Sequence, residues 1–146
     1  GVSVRLLSEH LIGGRFNPAS EKEALLSADI IIFQFPLQWV NYPWIFRQWL
    51  GDVFDPEFAS NGLSGRCLAL SVTTGSEYKE GSLKTLIDNM DEFAAYTGMS
   101  YAGEVVTGGF WFIPFLAGDK KDLQIKAEKH AEKLTELVLK LSDPTD

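Results

Sequence analysis

The chain has 146 residues, 45% hydrophobic and 23% charged, which suits a single globular domain, 1–146, with its own core. Its 13 Lys and Arg against 20 Asp and Glu leave a net charge of −7, which disfavours both a nucleic-acid partner and an anionic lipid surface. One cysteine, Cys67, excludes an intrachain disulfide; with no apolar run near the roughly 20 residues of a membrane span and no secretory pattern, the expectation is a cytoplasmic protein without membrane insertion.

The predicted elements alternate β and α. Residues 2–7 read as a strand, and 8–20 as a loop in which Gly13-Gly14 is a turn. Ser20, followed by Glu21 and Glu23, reads as the cap of a short helix ending near Ser27. Residues 28–33 carry the run Ile30-Ile31-Ile32-Phe33, short and β-branched, as in a strand buried on both faces of a parallel sheet. Pro43 stands at the start of a helical pattern over 44–54, with Ile45, Phe46, Trp49, Leu50 and Val53 on one broad face. Residues 55–64 read as a loop and 66–72 as a second buried strand. Residues 82–97 have helical spacing, with Gly98 as a left-handed C-terminal cap. A last parallel strand is expected at 100–106, then an aromatic segment at 110–115. An amphipathic helix follows at 120–141, apolar at Leu123, Ala127, Ala131, Leu134, Val138 and Leu141. Alternating β and α with no internal repeat or linker predicts an α/β domain with a parallel sheet.

In such sheets ligands sit outside the carboxyl ends of the strands. The segment at that place after the first buried strand is Gln34-Phe35-Pro36-Leu37-Gln38-Trp39, unusually apolar for a loop. It can pack as core under a neighbouring helix, or border a flat, π-rich ligand. After the second buried strand comes Leu70-Ser71-Val72-Thr73-Thr74-Gly75. It reads either as a strand end and turn, or as a loop in which Gly75 lets backbone donors approach a ligand edge.

These two blocks, with Pro43, Trp49, Val53, Phe54 and Tyr78, resemble the NAD(P)H:quinone oxidoreductases of the flavodoxin-like fold. That group includes a potassium-efflux ancillary protein. The resemblance covers residues 2–141 and implies a doubly wound parallel sheet of order 2-1-3-4-5. The lead-in at 17–29 precedes strand 3 in that family, so residues 2–7 align with strand 2, and strand 1 is expected to be absent from this chain. The resemblance implies a flavin, FAD or FMN, with NAD(P)H as co-substrate and a quinone or similar small-molecule acceptor. It also implies two-electron ping-pong hydride transfer through flavin N5. Pro36, Leu37, Gln38, Trp39, Thr73, Thr74 and Gly75 become cofactor-binding candidates, and Tyr78 the catalytic one. A homodimer is implied, with Trp44 and residues 110–115 as interface candidates. Two departures stand out: Val40 where relatives are aromatic, and Ser76 where they have a second glycine. The alternatives are a regulatory subunit of a potassium-efflux system and a redox-inactive flavodoxin-like binding domain.

The remaining residues support no other chemistry. No Cys, His or carboxylate cluster has metal-ligand spacing, and no nucleophile–base pair is visible. His10 falls on an early loop, His130 on a solvated helix face, and Cys67 in a buried strand. Asp52, Asp55 and Glu57 read as a solvated helix end.

Overall fold

Residues 68–72 are all buried, which makes β2 (Cys67–Thr73) the centre of the sheet. The computed structural model describes residues 1–77, 81–110 and 120–143. Among these, β1 (Ile30–Pro36) and β3 (Ser100–Thr107) flank β2 in parallel, in the order β1-β2-β3. Helices α3 (Trp44–Val53) and α5 (Lys84–Thr97) supply the crossovers, and α6 (Lys120–Ser142) packs on β3. This is the expected α/β class with a parallel sheet. Gly98 closes α5 at φ 84°, where a Cβ would meet Ser64 Oγ at 2.5 Å.

Strand β1 buries Ile31, Phe33 and Phe35 on one face only. On the other face Ile30 and Ile32 are half-buried and Gln34 exposed, so burial on both faces is not observed. The reason is position: β1 is an edge strand among the described residues, and only its α3-facing side is packed. Phe33 meets Phe46 at 4.9 Å and Trp49 at 5.6 Å between ring centroids, edge to face. Phe46 stacks on Trp49 at 5.7 Å.

Residues 2–6 form no strand, and a short helix, α1 (Leu7–His10), replaces the end of the expected one. Val2 and Val4 are 92% and 79% exposed. Strand propensity without a ladder partner or a face to bury does not hold an extended segment.

Helix α2 (Pro18–Leu26) starts earlier than expected. Asn17 is its cap and accepts from the N–H groups of Ala19 and Ser20, while Pro18 takes the first helical position. Glu21 is thereby placed inside, 2% exposed, bound by Arg5 at 2.6 Å and by the Trp49 indole N–H at 3.0 Å. Burial alone would raise its carboxyl pKa, but these hydrogen bonds outweigh it and hold it below the usual range.

The acidic residues after α3 are not simply solvated. The Asp52 side chain is 7% exposed and accepts from Gln48, the Phe16 N–H and Arg15. Asp55 caps a four-residue helix, α4 (Pro56–Ala59), too short to leave a periodic signal in the sequence, and pairs with Lys22. Cys67 begins β2 and is half-buried rather than central.

Candidate functional site at the carboxyl edge of the sheet

Parallel pairing brings the ends of β1 and β2 side by side: Pro36 is in register with Thr73, and the Leu37 N–H donates to the Thr73 carbonyl at 2.8 Å. The two sequence blocks therefore form one edge. Pro36 and Gln38 are exposed, and Leu37 is half-buried against the core. Trp39 is 99% exposed, which removes it from the core.

Trp39 and Val40 form a two-residue turn. Gln38 and Asn41 exchange N–H···O bonds at 2.7 and 3.0 Å across it. Both central residues have positive φ, 50° and 63°. That is the hairpin conformation that selects Asn and Gly, and a β-branched valine there is strained. The same turn occurs between Ile12 and Arg15, but with Gly13 and Gly14 at φ 59° and 76°. Such strain persists only where surrounding structure over-determines it, and it clusters at ligand-contacting sites. The Trp39 and Val40 N–H groups make no hydrogen bond among the described residues.

The second loop rises from β2. Thr73 is half-buried at the strand end, Thr74 is buried, and Gly75 is exposed. The Thr74 N–H donates to the Thr107 carbonyl at 3.0 Å, and its hydroxyl to the Ser76 carbonyl at 2.7 Å. The Thr74 hydroxyl is thus occupied in shaping the loop. The free donors are the N–H groups of Gly75 and Ser76, which have no partner among the described residues. A third segment completes the edge. Gly109 donates to the Ser76 carbonyl and Phe110 to that of Thr74, both at 3.0 Å. Tyr78 and residues 111–115 lie outside the described residues; Trp44 is 66% exposed at the start of α3.

Sequence reasoning missed His130. It is buried, not solvated: one ring nitrogen lies 2.8 Å from Ser71 Oγ and the other 2.8 Å from Thr107 Oγ1. Ala127 and Ala131 are exposed, so the inner face of α6 is turned toward His130 and Leu134. A signal existed, since His130 sits four residues before Leu134 and seven after Leu123 on one helical stripe. Burial, and then the charge of Lys133, pull its pKa below the ordinary imidazole value of 6.5, which favours the neutral ring.

No group of three or more metal-ligating side chains converges among the described residues. None of the described helices is long and apolar enough to cross a membrane. Two open grooves of about 400 and 410 Å³ lie elsewhere, one around Lys22 and Phe58 and one around Arg15 and Arg47.

Residues 8–136 match a family described as having the flavodoxin-like fold. The chain is 28% identical to a glutathione-regulated potassium-efflux system ancillary protein, KefF, of Enterobacter sp. (strain 638), over 92% of this chain and 79% of that protein. The KefF of Klebsiella aerogenes is 29% identical, over 92% of this chain and 78% of its own length. Among solved structures, an NADPH-quinone reductase from P. pentosaceus aligns at a TM-score of 0.64 and 27% identity, covering 79% of this chain and 72% of that one. General stress protein 14 of Treponema denticola, solved with FMN, shares the fold at a TM-score of 0.69 and 21% identity, covering 87% and 75%.

Two outcomes follow from this geometry. Val40→Gly should relieve a positive-φ β-branched residue and raise unfolding stability by about 1 kcal/mol. A shifted urea midpoint at constant m checks it. Secondly, the unfolded chain protonates His130 near pH 6.5, before the folded protein does. The stability this residue contributes is complete above pH 6.5, declines as pH falls through that value, and levels off once the folded ring is protonated. Urea midpoints between pH 5 and 8 should show this slope in the wild type and lose it in His130→Asn.

Proposed function

This chain belongs to the flavodoxin-like fold family, and we propose that it is a flavin-dependent NAD(P)H:quinone oxidoreductase. The observation that carries the reading is the strained Trp39–Val40 turn beside the Gly75–Ser76 loop, at the edge where this fold presents ligands. An isoalloxazine has apolar faces and a polar rim. The donor set fits it: an exposed indole at Trp39, apolar Pro36 and Leu37, and N–H groups at Trp39, Val40, Gly75 and Ser76 without a partner among the described residues. A bound flavin, FMN or FAD, supplies two-electron chemistry between NAD(P)H and a quinone in a ping-pong cycle.

The chain's own residues position and polarise. Trp39, Pro36, Leu37 and Gln38 would hold the flavin, the first three through apolar surface and Gln38 through its amide. The Gly75 and Ser76 N–H groups would donate to the part of the flavin that gains negative charge on reduction, which is oxyanion-hole logic. Thr73 and Thr74 hold those donors in place through the strand end and the Ser76 carbonyl. Tyr78 supplies a phenol three residues after Gly75, to stabilise that charge or to protonate the quinol. We assign the protein to the cytoplasm as a homodimer, with Trp44 and residues 110–115 at the interface. A regulatory reading is favoured by its own observation, the two potassium-efflux ancillary relatives matched over 92% of this chain. Quinone reduction by the isolated protein with no effect on potassium efflux would separate the roles.

Titration with FMN and with FAD, followed by flavin fluorescence, tests the cofactor; no binding of either would overturn the reading. Trp39→Ala should weaken flavin affinity by about 1–2 kcal/mol. Thermal stability should hold, because this side chain is 99% exposed. Tyr78→Phe should leave flavin binding nearly intact and slow hydride transfer by about 1–2 kcal/mol, less than a lone oxyanion donor costs, because backbone N–H groups share the load. Stopped-flow reduction by NADH and NADPH measures it, and a wild-type rate would remove Tyr78 from the mechanism.

A further inference from the structure

Helix α6 grips the carboxyl edge from two successive turns. Lys126 reaches the Gly109 carbonyl at 3.3 Å and Glu77 at 3.8 Å, at the rim. Four residues on, and therefore on the same stripe, His130 reaches Ser71 and Thr107 below it. Thr107 is the last residue of β3, and its two polar groups do different things. Its hydroxyl meets His130, while its carbonyl takes the Thr74 N–H. Thr74 in turn accepts from Phe110 and donates to Ser76, whose own N–H has no partner among the described residues. An unbroken run of hydrogen bonds thus leads from the His130 ring to the donor loop.

The sheet is built to allow this. Pairing of β2 with β3 shifts by one residue between Leu68 and Ala69, so that Leu68 faces Tyr101 but Ala69 faces Gly103, at φ 113°. A one-residue shift exchanges the two faces of a strand. Without the bulge at 102–103, the Thr107 side chain would point toward α5. With it, Tyr101 and Val106 pack on the core, and Thr107 shares the α6 side with Ser71.

We propose that His130 is a positioning residue that holds the Thr74–Ser76 donor loop in register through Thr107. This rests on the reading above that the loop contacts flavin. The Ser71 contact anchors the ring, and the Thr107 contact does the positioning.

Two substitutions separate these contacts. His130→Asn keeps an amide group near the place of Nδ1, the atom facing Thr107. His130→Gln keeps one near Nε2, facing Ser71. In the apoprotein, amide exchange at Thr74 and Phe110 should accelerate by about tenfold in His130→Gln and stay within about twofold in His130→Asn. Exchange at Leu68 and Leu70 should be equal in both. The FMN dissociation constant should follow the same order, weakened about tenfold in the Gln variant and near wild type in the Asn variant. A bland packing role would move both variants alike in every readout, and that result would overturn the proposal. Altered exchange with unaltered FMN affinity would overturn it as well. If wild type binds no flavin, the flavin reading fails, while amide exchange still decides whether His130 holds the loop. Thr107→Val and Ser71→Ala repeat the comparison without touching the histidine, in case either variant fails to fold. Thr107→Val should behave as the Gln variant and Ser71→Ala as the Asn variant; the reverse order would overturn the proposal.

Discussion

The contact of Phe33 with Phe46 and Trp49 fixes α3 against β1, and the carboxyl edge inherits its shape from that docking. Once the helix is in place, the chain leaving β1 has little freedom. It is pinned on one side by the Leu37 N–H bond to Thr73. It is pinned on the other by the Tyr42 ring against Phe46 at 5.3 Å and Phe35 at 6.2 Å. Only residues 38–41 remain to reverse direction between those anchors, and a two-residue turn is what fits. The positive φ values at Trp39 and Val40 are the cost of closing that span, borne by aromatic packing elsewhere.

The paired turns at 13–14 and 39–40 show that the backbone geometry itself is ordinary. With two glycines it forms without steric cost; with Trp and Val it does not. A chain selected only for stability would carry small residues at both places. Val40 and Trp39 sit where an apolar surface is presented outward, so the strain coincides with the candidate ligand edge rather than with the core. The buried charges follow a similar division. Glu21 is satisfied by Arg5 and Trp49 far from that edge, and serves to lock the amino-terminal segment onto α2 and α3.

Much of this was readable from residue order. The runs 30–33 and 66–72, the apolar face of α3 and the Gly98 cap are local signals that packing reinforces, and they emerged close to where periodicity placed them. The blocks around Trp39 and Thr74 were legible because the parallel fold sends both to one edge. Other features depend on contacts distant in sequence. Residues 2–6 have a strand-like composition but no described neighbour to pair with. Asn17 displaced Ser20 as a cap because Pro18 is better accommodated at the first helical position. Asp52 is drawn inward by the Phe16 N–H, 36 positions away, and His130 by hydroxyls 59 and 23 positions away. The backbone sign at Trp39 and Val40 leaves no trace in residue type, since nothing in an aromatic–valine pair announces a left-handed turn.

The contrast between two tryptophans gives the molecule a built-in optical reporter. Trp49 is 5% exposed with its indole N–H held by Glu21, whereas Trp39 projects into solvent. Emission from the first is shielded from collisional quenchers and tracks the integrity of the aromatic core. Emission from the second is water-relaxed and open to iodide, and an aromatic molecule settling on the sheet edge would shield it. Trp44, 66% exposed, also emits on the red side, so the signal that Trp39→Phe removes is the one that watches the sheet edge, while the blue side watches folding.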